Sequence, residues 1–190
     1  MLAGIAAVAI GIPIGLQIVI LAGYGLIALA ALLYAGDIID IVLRANVPHR
    51  PPQVWMLCAV LFAVATVGLG MGSALGAGWG EAAVFAALIG WAGSAVLAHM
   101  HHIGVRVFVT LFCGDEDETR PGEILFAPLT WITLVLYESA AIAGTIALLR
   151  KDDSLLLLAA YAGLASFIAM VVHAPFVFRS IMKSKQPYVV

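Results

Sequence analysis

Five long apolar segments constrain this chain more than any other feature of its sequence. A transmembrane helix needs about 20 consecutive apolar residues, and each of these segments is long enough. Only 11% of the residues are charged, compared with about a quarter in soluble domains, and the mean hydropathy is +1.11. The pattern predicts an all-α, polytopic transmembrane bundle that forms a single integral membrane domain over residues 1–190. The expected crossings are residues 14–44, 53–76, 82–112, 124–149 and 154–182.

The N-terminal residues 1–13 are also apolar, but they are too few to cross a bilayer. The Gly11-Ile12-Pro13 sequence is expected to separate them from the first full helix. We therefore expect a half-inserted or interfacial turn at the N-terminus. The alternative is that two crossings are packed into residues 1–44.

Lysine and arginine are unevenly distributed between the two sides of the predicted bundle. With five crossings, the loops at 45–52 and 113–123 share one side with the C-terminus. Cytoplasmic loops are enriched in Lys and Arg, which places the N-terminus outside, the C-terminus in the cytoplasm and the chain in the cell membrane. The cytoplasmic side then carries Arg44, Arg50, Arg106, Arg120, Arg179, Lys183 and Lys185, against Arg150 and Lys151 on the other side.

Composition and motifs argue against several classes of function. The net charge of −2 is too small to indicate nucleic-acid binding, and Cys58 and Cys113 do not form a C-x-x-C pair. The sequence contains no G-x-S-x-G, no H-E-x-x-H and no phosphate-binding Gly-rich loop with a Lys. We therefore expect at most a non-catalytic membrane subunit of an oxidoreductase complex, embedded in lipid and associated with other membrane or peripheral subunits.

Three histidines lie in residues 98–102, Ala-His-Met-His-His, within the third apolar segment. Ionisable side chains are costly in lipid, usually face the interior of a bundle and mark a site or a pathway. His99, His102 and Arg106 are spaced i, i+3 and i+7, which places them on one helix face. His101 projects about 100° away from His102 and is expected on another face.

Two more ionisable residues lie deep in the predicted crossings. His173 comes 19 residues after the start of the fifth segment, and His99 comes 17 residues after the start of the third. Their depths therefore agree within about one helical turn, so His99 or His102 is expected to face His173. Glu138 lies near the middle of the fourth segment, where a carboxylate needs a partner or a proton because desolvation favours its neutral form.

One interpretation of these histidines is a b-type haem held by His173 and either His99 or His102, with Arg106 near the propionates. The layout of five crossings with the N-terminus outside resembles the membrane cytochrome subunits of respiratory nitrate and heterodisulfide reductases. Those subunits usually carry two pairs of haem histidines, which this chain does not supply. The resemblance implies electron transfer between a quinone and a soluble partner subunit.

Two other interpretations remain open. His99, His102, His173 and Glu138 could bind a transition metal ion, since imidazole suits Zn, Cu and Fe, or could serve ion or proton translocation in a transporter or channel. Alternatively the histidines have structural roles, His173 bonding a carbonyl that is freed by Pro175. The leading expectation is a membrane subunit of an electron-transfer or energy-converting respiratory complex, and ion translocation is the alternative.

Overall fold

The computed structural model describes residues 1–44, 51–104, 107, 110–111 and 127–184, without the side chains of residues 102, 104 and 180–184. Within these residues every element is helical and there is no strand. Five helices are long and apolar enough to cross a membrane, which confirms the predicted all-α bundle with five crossings. The orientation in the membrane stays a prediction.

The helices are numbered here in chain order. The first three are α1 (Leu2–Ile14), α2 (Gln17–Arg44) and α3 (Pro51–Ala74). The third crossing consists of α4 (Gly80–Phe85), the π-helix π1 (Ala86–Gly93), α5 (Ser94–His99) and the π-helix π2 (Met100–Gly104). The last two crossings are α6 (Ala127–Arg150) and α7 (Asp153–Ser184).

The N-terminal segment is a short helix that folds back on α2. At 13 residues, α1 is about 20 Å long, which is shorter than the roughly 30 Å hydrocarbon core of a bilayer. Gly15 ends α1 with a φ of 67°, a left-handed conformation that favours glycine. A Cβ added to Gly4 would lie 2.7 Å from the Gly23 carbonyl oxygen, so the two backbones are in close contact. The N-terminal region is therefore a half-length helix joined to one crossing, and not a second crossing.

The core lies between α3, the third crossing and α6. It contains two apolar layers, each with one residue from every one of these three helices. The first layer is Trp55, Ala98 and Leu134, and the second layer is Phe62, Ala86 and Ala141. Small residues opposite large ones let the helix backbones approach each other, which is a common way of packing membrane helices.

A tight turn joins α6 to α7 and makes them an antiparallel hairpin. Lys151 adopts a φ of 55°, and the Asp152 Oδ1 atom accepts a hydrogen bond of 3.0 Å from the Leu155 backbone N–H. A carboxylate in this position satisfies one of the unpaired N–H groups at a helix start. The turn fixes the register in which α7 packs along α6.

The glycine contact between α1 and α2 predicts a position-specific effect of alanine. Gly23→Ala places a Cβ 2.8 Å from the Gly4 carbonyl oxygen, and backbone atoms cannot rotate away. We expect a loss of about 1–3 kcal/mol in the free energy of unfolding, measured by circular dichroism during titration with denaturing detergent. Gly25→Ala is the matched control in the same helix, because nothing lies within 4 Å of its Cβ position. Equal effects of the two substitutions would contradict the packing described here.

Candidate functional site in the bundle interior

The Tyr137 side chain of α6 reaches the backbone of π1. Its hydroxyl donates a hydrogen bond of 2.7 Å to the Ile89 carbonyl oxygen, which in a regular α-helix accepts from the Gly93 N–H. A Cβ on Gly93 would collide with the same hydroxyl. Side chains that insert into the hydrogen-bond ladder distort helices. We therefore attribute the π-helical turn to Tyr137 and to the absence of a side chain at Gly93.

This π-helical turn changes which residues of the third crossing face the interior. A π-helix has i→i+5 hydrogen bonds and wider turns than an α-helix, so each residue advances by a smaller angle. The side chains of all later residues therefore point in directions that are rotated about the helix axis, compared with those in a continuous α-helix. After π1, the side chains of Ser94, Ala98 and His101 are buried, whereas His99 is exposed.

Glu138 is buried at the centre of the bundle and bonds to the third crossing. Its side chain is 6% exposed, and its Oε1 atom accepts a hydrogen bond of 2.7 Å from the Ser94 hydroxyl. Ser94 is completely buried. The second carboxyl oxygen, Oε2, is buried and has no hydrogen-bond partner, which is unusual for a buried polar atom.

The Glu138–Ser94 pair lies between the two apolar layers of the core. Along α6, Glu138 comes between Leu134 and Ala141, one residue from each layer. Cys58 of α3 lies at the same level, between Trp55 and Phe62, the residues that α3 contributes to the two layers. Sequence reasoning identified Glu138 but missed Ser94. A serine within an otherwise apolar stretch was the available signal, but its alignment with Glu138 depends on π1.

The second polar group of the interior consists of His101 and His173. His101 is 8% exposed and His173 is 3% exposed. Their ring centroids are 6.1 Å apart, and the ring planes are inclined by 26°. The Trp55 ring packs against the His101 ring, with a distance of 4.6 Å between the ring centroids. The pair thus connects the third crossing with α7 across the interior.

The hydrogen bonding of His101 fixes the role of its two ring nitrogens. Its Nδ1 atom lies 2.9 Å from the Leu97 carbonyl oxygen. Because a carbonyl only accepts, Nδ1 carries a proton and donates it. The Nε2 atom of the neutral ring then has a free lone pair, which is the arrangement found in metal-ligating histidines.

The expectations for His99 and His101 are corrected by these contacts. The prediction placed His99 or His102 opposite His173 and His101 on another face, whereas the structure places His101 beside His173 and leaves His99 exposed. Depth along a helix does not determine which way a side chain points, and π1 rotates the residues that follow it. The His102 side chain and Arg106 lie outside the described residues.

His99 lies in a different environment from the buried pair. Its Nδ1 donates to the Ala95 carbonyl oxygen at 2.7 Å, and its ring borders a groove of about 280 Å³ between α2, α3 and the third crossing. The lining of this groove is apolar apart from His99 and Gln53.

A metal site with three or more protein ligands finds no support in the described part of the chain. In those residues no three His, Cys, Asp or Glu side chains come close enough to hold a metal ion together. Glu138 bonds to Ser94, whereas the His173 ring lies beside that of His101. The two polar groups are therefore treated as separate sites.

No protein-family model, curated protein or solved structure shows significant similarity to this chain. The functional argument consequently depends on the geometry of the two interior sites.

The contact between Tyr137 and Gly93 predicts non-additive effects of two substitutions. Tyr137→Phe removes one hydrogen bond and should cost about 0.5–1.5 kcal/mol of unfolding free energy. Gly93→Ala introduces the collision with the hydroxyl, with an expected cost of about 1–3 kcal/mol. In the Tyr137→Phe background the Gly93→Ala penalty should be smaller, because only ring carbon atoms remain near the new Cβ. Detergent-unfolding titrations of the four proteins measure this coupling, and penalties that add within about 0.5 kcal/mol would contradict it.

Proposed function

We propose that this chain is an integral membrane subunit of an electron-transfer complex in the cell membrane, and that it holds a b-type haem between His101 and His173. The observation that carries the proposal is the pair of buried imidazoles on two different crossings. A metal ion bound at about 2.0–2.1 Å from one nitrogen of each ring places the ring centroids roughly 6 Å apart. The centroid distance of 6.1 Å agrees with this spacing.

The helices that carry the two histidines are not in close backbone contact with each other. The backbone of α7 packs along α6 and makes few close approaches to the described part of the third crossing. The His101 and His173 side chains make a contact between these two elements. Arg179 lies six residues further along α7 and is exposed, about 9 Å away along the helix axis, where a cation can pair with a propionate.

The residues around the pair provide the two conditions that a membrane haem needs. Axial histidines supply the ligands, and the bond from His101 to Leu97 orients one of the rings. Burial excludes water, and the burial and hydrogen bonding of a haem are among the features that tune its potential. A haem supplies one-electron chemistry, so the proposal includes an electron donor and an acceptor among quinones and partner subunits.

The groove beside His99 supports a quinone as the membrane-side partner. Ligand pockets are mostly apolar, with a few polar groups that orient the ligand. The groove combines apolar walls with the His99 and Gln53 side chains. With Nδ1 donating to the Ala95 carbonyl oxygen, Nε2 is the ring nitrogen of His99 that can accept a hydrogen bond from a quinol hydroxyl.

The haem proposal predicts a Soret absorbance band in the purified protein. His173→Ala and His101→Ala should each abolish or strongly reduce the band, because each removes an axial ligand. His99→Ala is the matched control, since its ring lies in the groove, and it should keep the band. The measurement is the absorption spectrum of oxidised and dithionite-reduced protein, with iron content determined in parallel.

A colourless wild-type protein that is purified from cells producing haem would overturn this proposal. So would a Soret band that persists in both His101→Ala and His173→Ala. Retained helical content by circular dichroism in each variant distinguishes loss of a ligand from loss of the fold.

The quinone part of the proposal predicts a kinetic effect of His99. We expect His99→Ala to slow reduction of the bound haem by a soluble quinol analogue, by about tenfold or more for a lost hydrogen bond worth about 1.4 kcal/mol. Reduction by dithionite should keep its wild-type rate, because this small reductant does not use the groove. Equal quinol rates in wild type and His99→Ala would remove His99 from the quinone site.

A further inference from the structure

We propose that the Glu138 carboxyl is a proton-binding site within the membrane, separate from the imidazole pair, which takes up and releases its proton through Oε2. Glu138 is only 6% exposed, and its two carboxyl oxygens have different surroundings. Oε1 accepts the Ser94 hydrogen bond, and Oε2 has no partner. This asymmetry identifies the atom that carries the proton.

No positive charge compensates a negative charge on Glu138 in the described residues. The side-chain bond that Glu138 makes within the described part of the chain is to a neutral serine, whereas the exposed carboxylate of Asp40 has an ion pair with Arg44 at 2.7 Å. An unpaired buried carboxylate is strongly disfavoured, and such a group is neutralised by taking up a proton. The resting form of Glu138 is therefore the carboxylic acid.

With the Ser94 hydroxyl as the donor, the acid form of Glu138 has one arrangement. Since the Ser94 hydroxyl donates to Oε1, this oxygen is the carbonyl oxygen of the acid and Oε2 carries the hydroxyl. That hydroxyl is a buried donor without an acceptor, and such groups usually meet water or a ligand. A water molecule that reaches Oε2 provides the exchange route, taking the proton and leaving the carboxylate, and the reverse step restores the acid.

The titratable groups that face Glu138 are few. From α3 it is Cys58, which lies at the same level of the bundle, and on α6 itself it is the neighbouring Tyr137. The Tyr137 hydroxyl already donates to Ile89. From the third crossing the facing group is Ser94, which does not titrate. The groups identified around Glu138 thus come from α3, the third crossing and α6.

Infrared spectroscopy of the purified full-length protein in detergent tests this inference. At neutral pH we expect a carbonyl stretching band of a protonated carboxylic acid, at higher frequency than the amide I band. The band should be absent in Glu138→Gln. In Ser94→Ala it should remain and move to higher frequency, because the hydrogen bond to the carbonyl oxygen is lost. Glu81→Gln is the control, since Glu81 is an exposed residue at the start of α4, and it should leave the band unchanged.

Transfer into D₂O distinguishes a carboxyl group that exchanges its proton with water from one that water does not reach and that has only a structural role. We expect the band to shift to lower frequency within minutes, since Oε2 exchanges its proton with water. A band that stays unshifted after hours would show a closed structural group and would overturn the proposal. The absence of any carboxylic acid band at neutral pH, or a band that persists in Glu138→Gln, would overturn it as well. If Glu138→Gln fails to fold, the frequency shift in Ser94→Ala gives the same assignment.

The two proposals fail independently. Glu138→Gln should leave the Soret band of the protein intact, because its carboxyl is not a ligand. His173→Ala should leave the carboxylic acid band in place. A colourless protein with an exchanging acid band would therefore reject the haem and retain the proton site.

Discussion

The contact between the Tyr137 hydroxyl and the Ile89 carbonyl is the interaction on which the rest of the interior depends. It requires a residue without a side chain at Gly93, and it accompanies the change from α-helical to π-helical turns in the third crossing. Residues after this point have a different angular position from the one that a regular helix would give. The burial of Ser94 and His101 follows from this local geometry, and with it the composition of both polar sites.

Tyr137 and Glu138 are neighbours on α6, and their partners Gly93 and Ser94 are neighbours on the third crossing. The contact between Tyr137 and Gly93 therefore sets the register of α6 against the third crossing, and the next pair, Glu138 and Ser94, forms the polar contact. The apolar layers on either side, which include Trp55 and Phe62, hold the three helices together at this register. Such an arrangement lets a buried carboxyl keep a fixed position although it has only one hydrogen bond.

The fold could be predicted from the sequence because it depends on segment length and hydropathy, which are local properties. The five crossings and the position of Glu138 follow from them. The pairing of His101 with His173 could not be predicted, because it depends on a π-helix that a side chain of another crossing stabilises. Depth alone selected the correct pair of helices, but it favoured His99, which borders the groove instead. The packing of α1 against α2 was likewise inaccessible, since it depends on backbone contact between Gly4 and Gly23.

The spacing of the two polar sites has a consequence for how they can act together. Ser94 and His101 are seven residues apart, about 10 Å along the helix axis. Two unit charges at that distance interact by roughly 1.7 kcal/mol at an effective dielectric constant of about 20, which is more than tenfold in an equilibrium constant. If a haem is bound at the imidazole pair, as we propose, an electron on it would favour the protonated form of Glu138 by about that factor. The Trp55, Ala98 and Leu134 layer between the sites is apolar, so it limits screening by water and keeps the interaction effective.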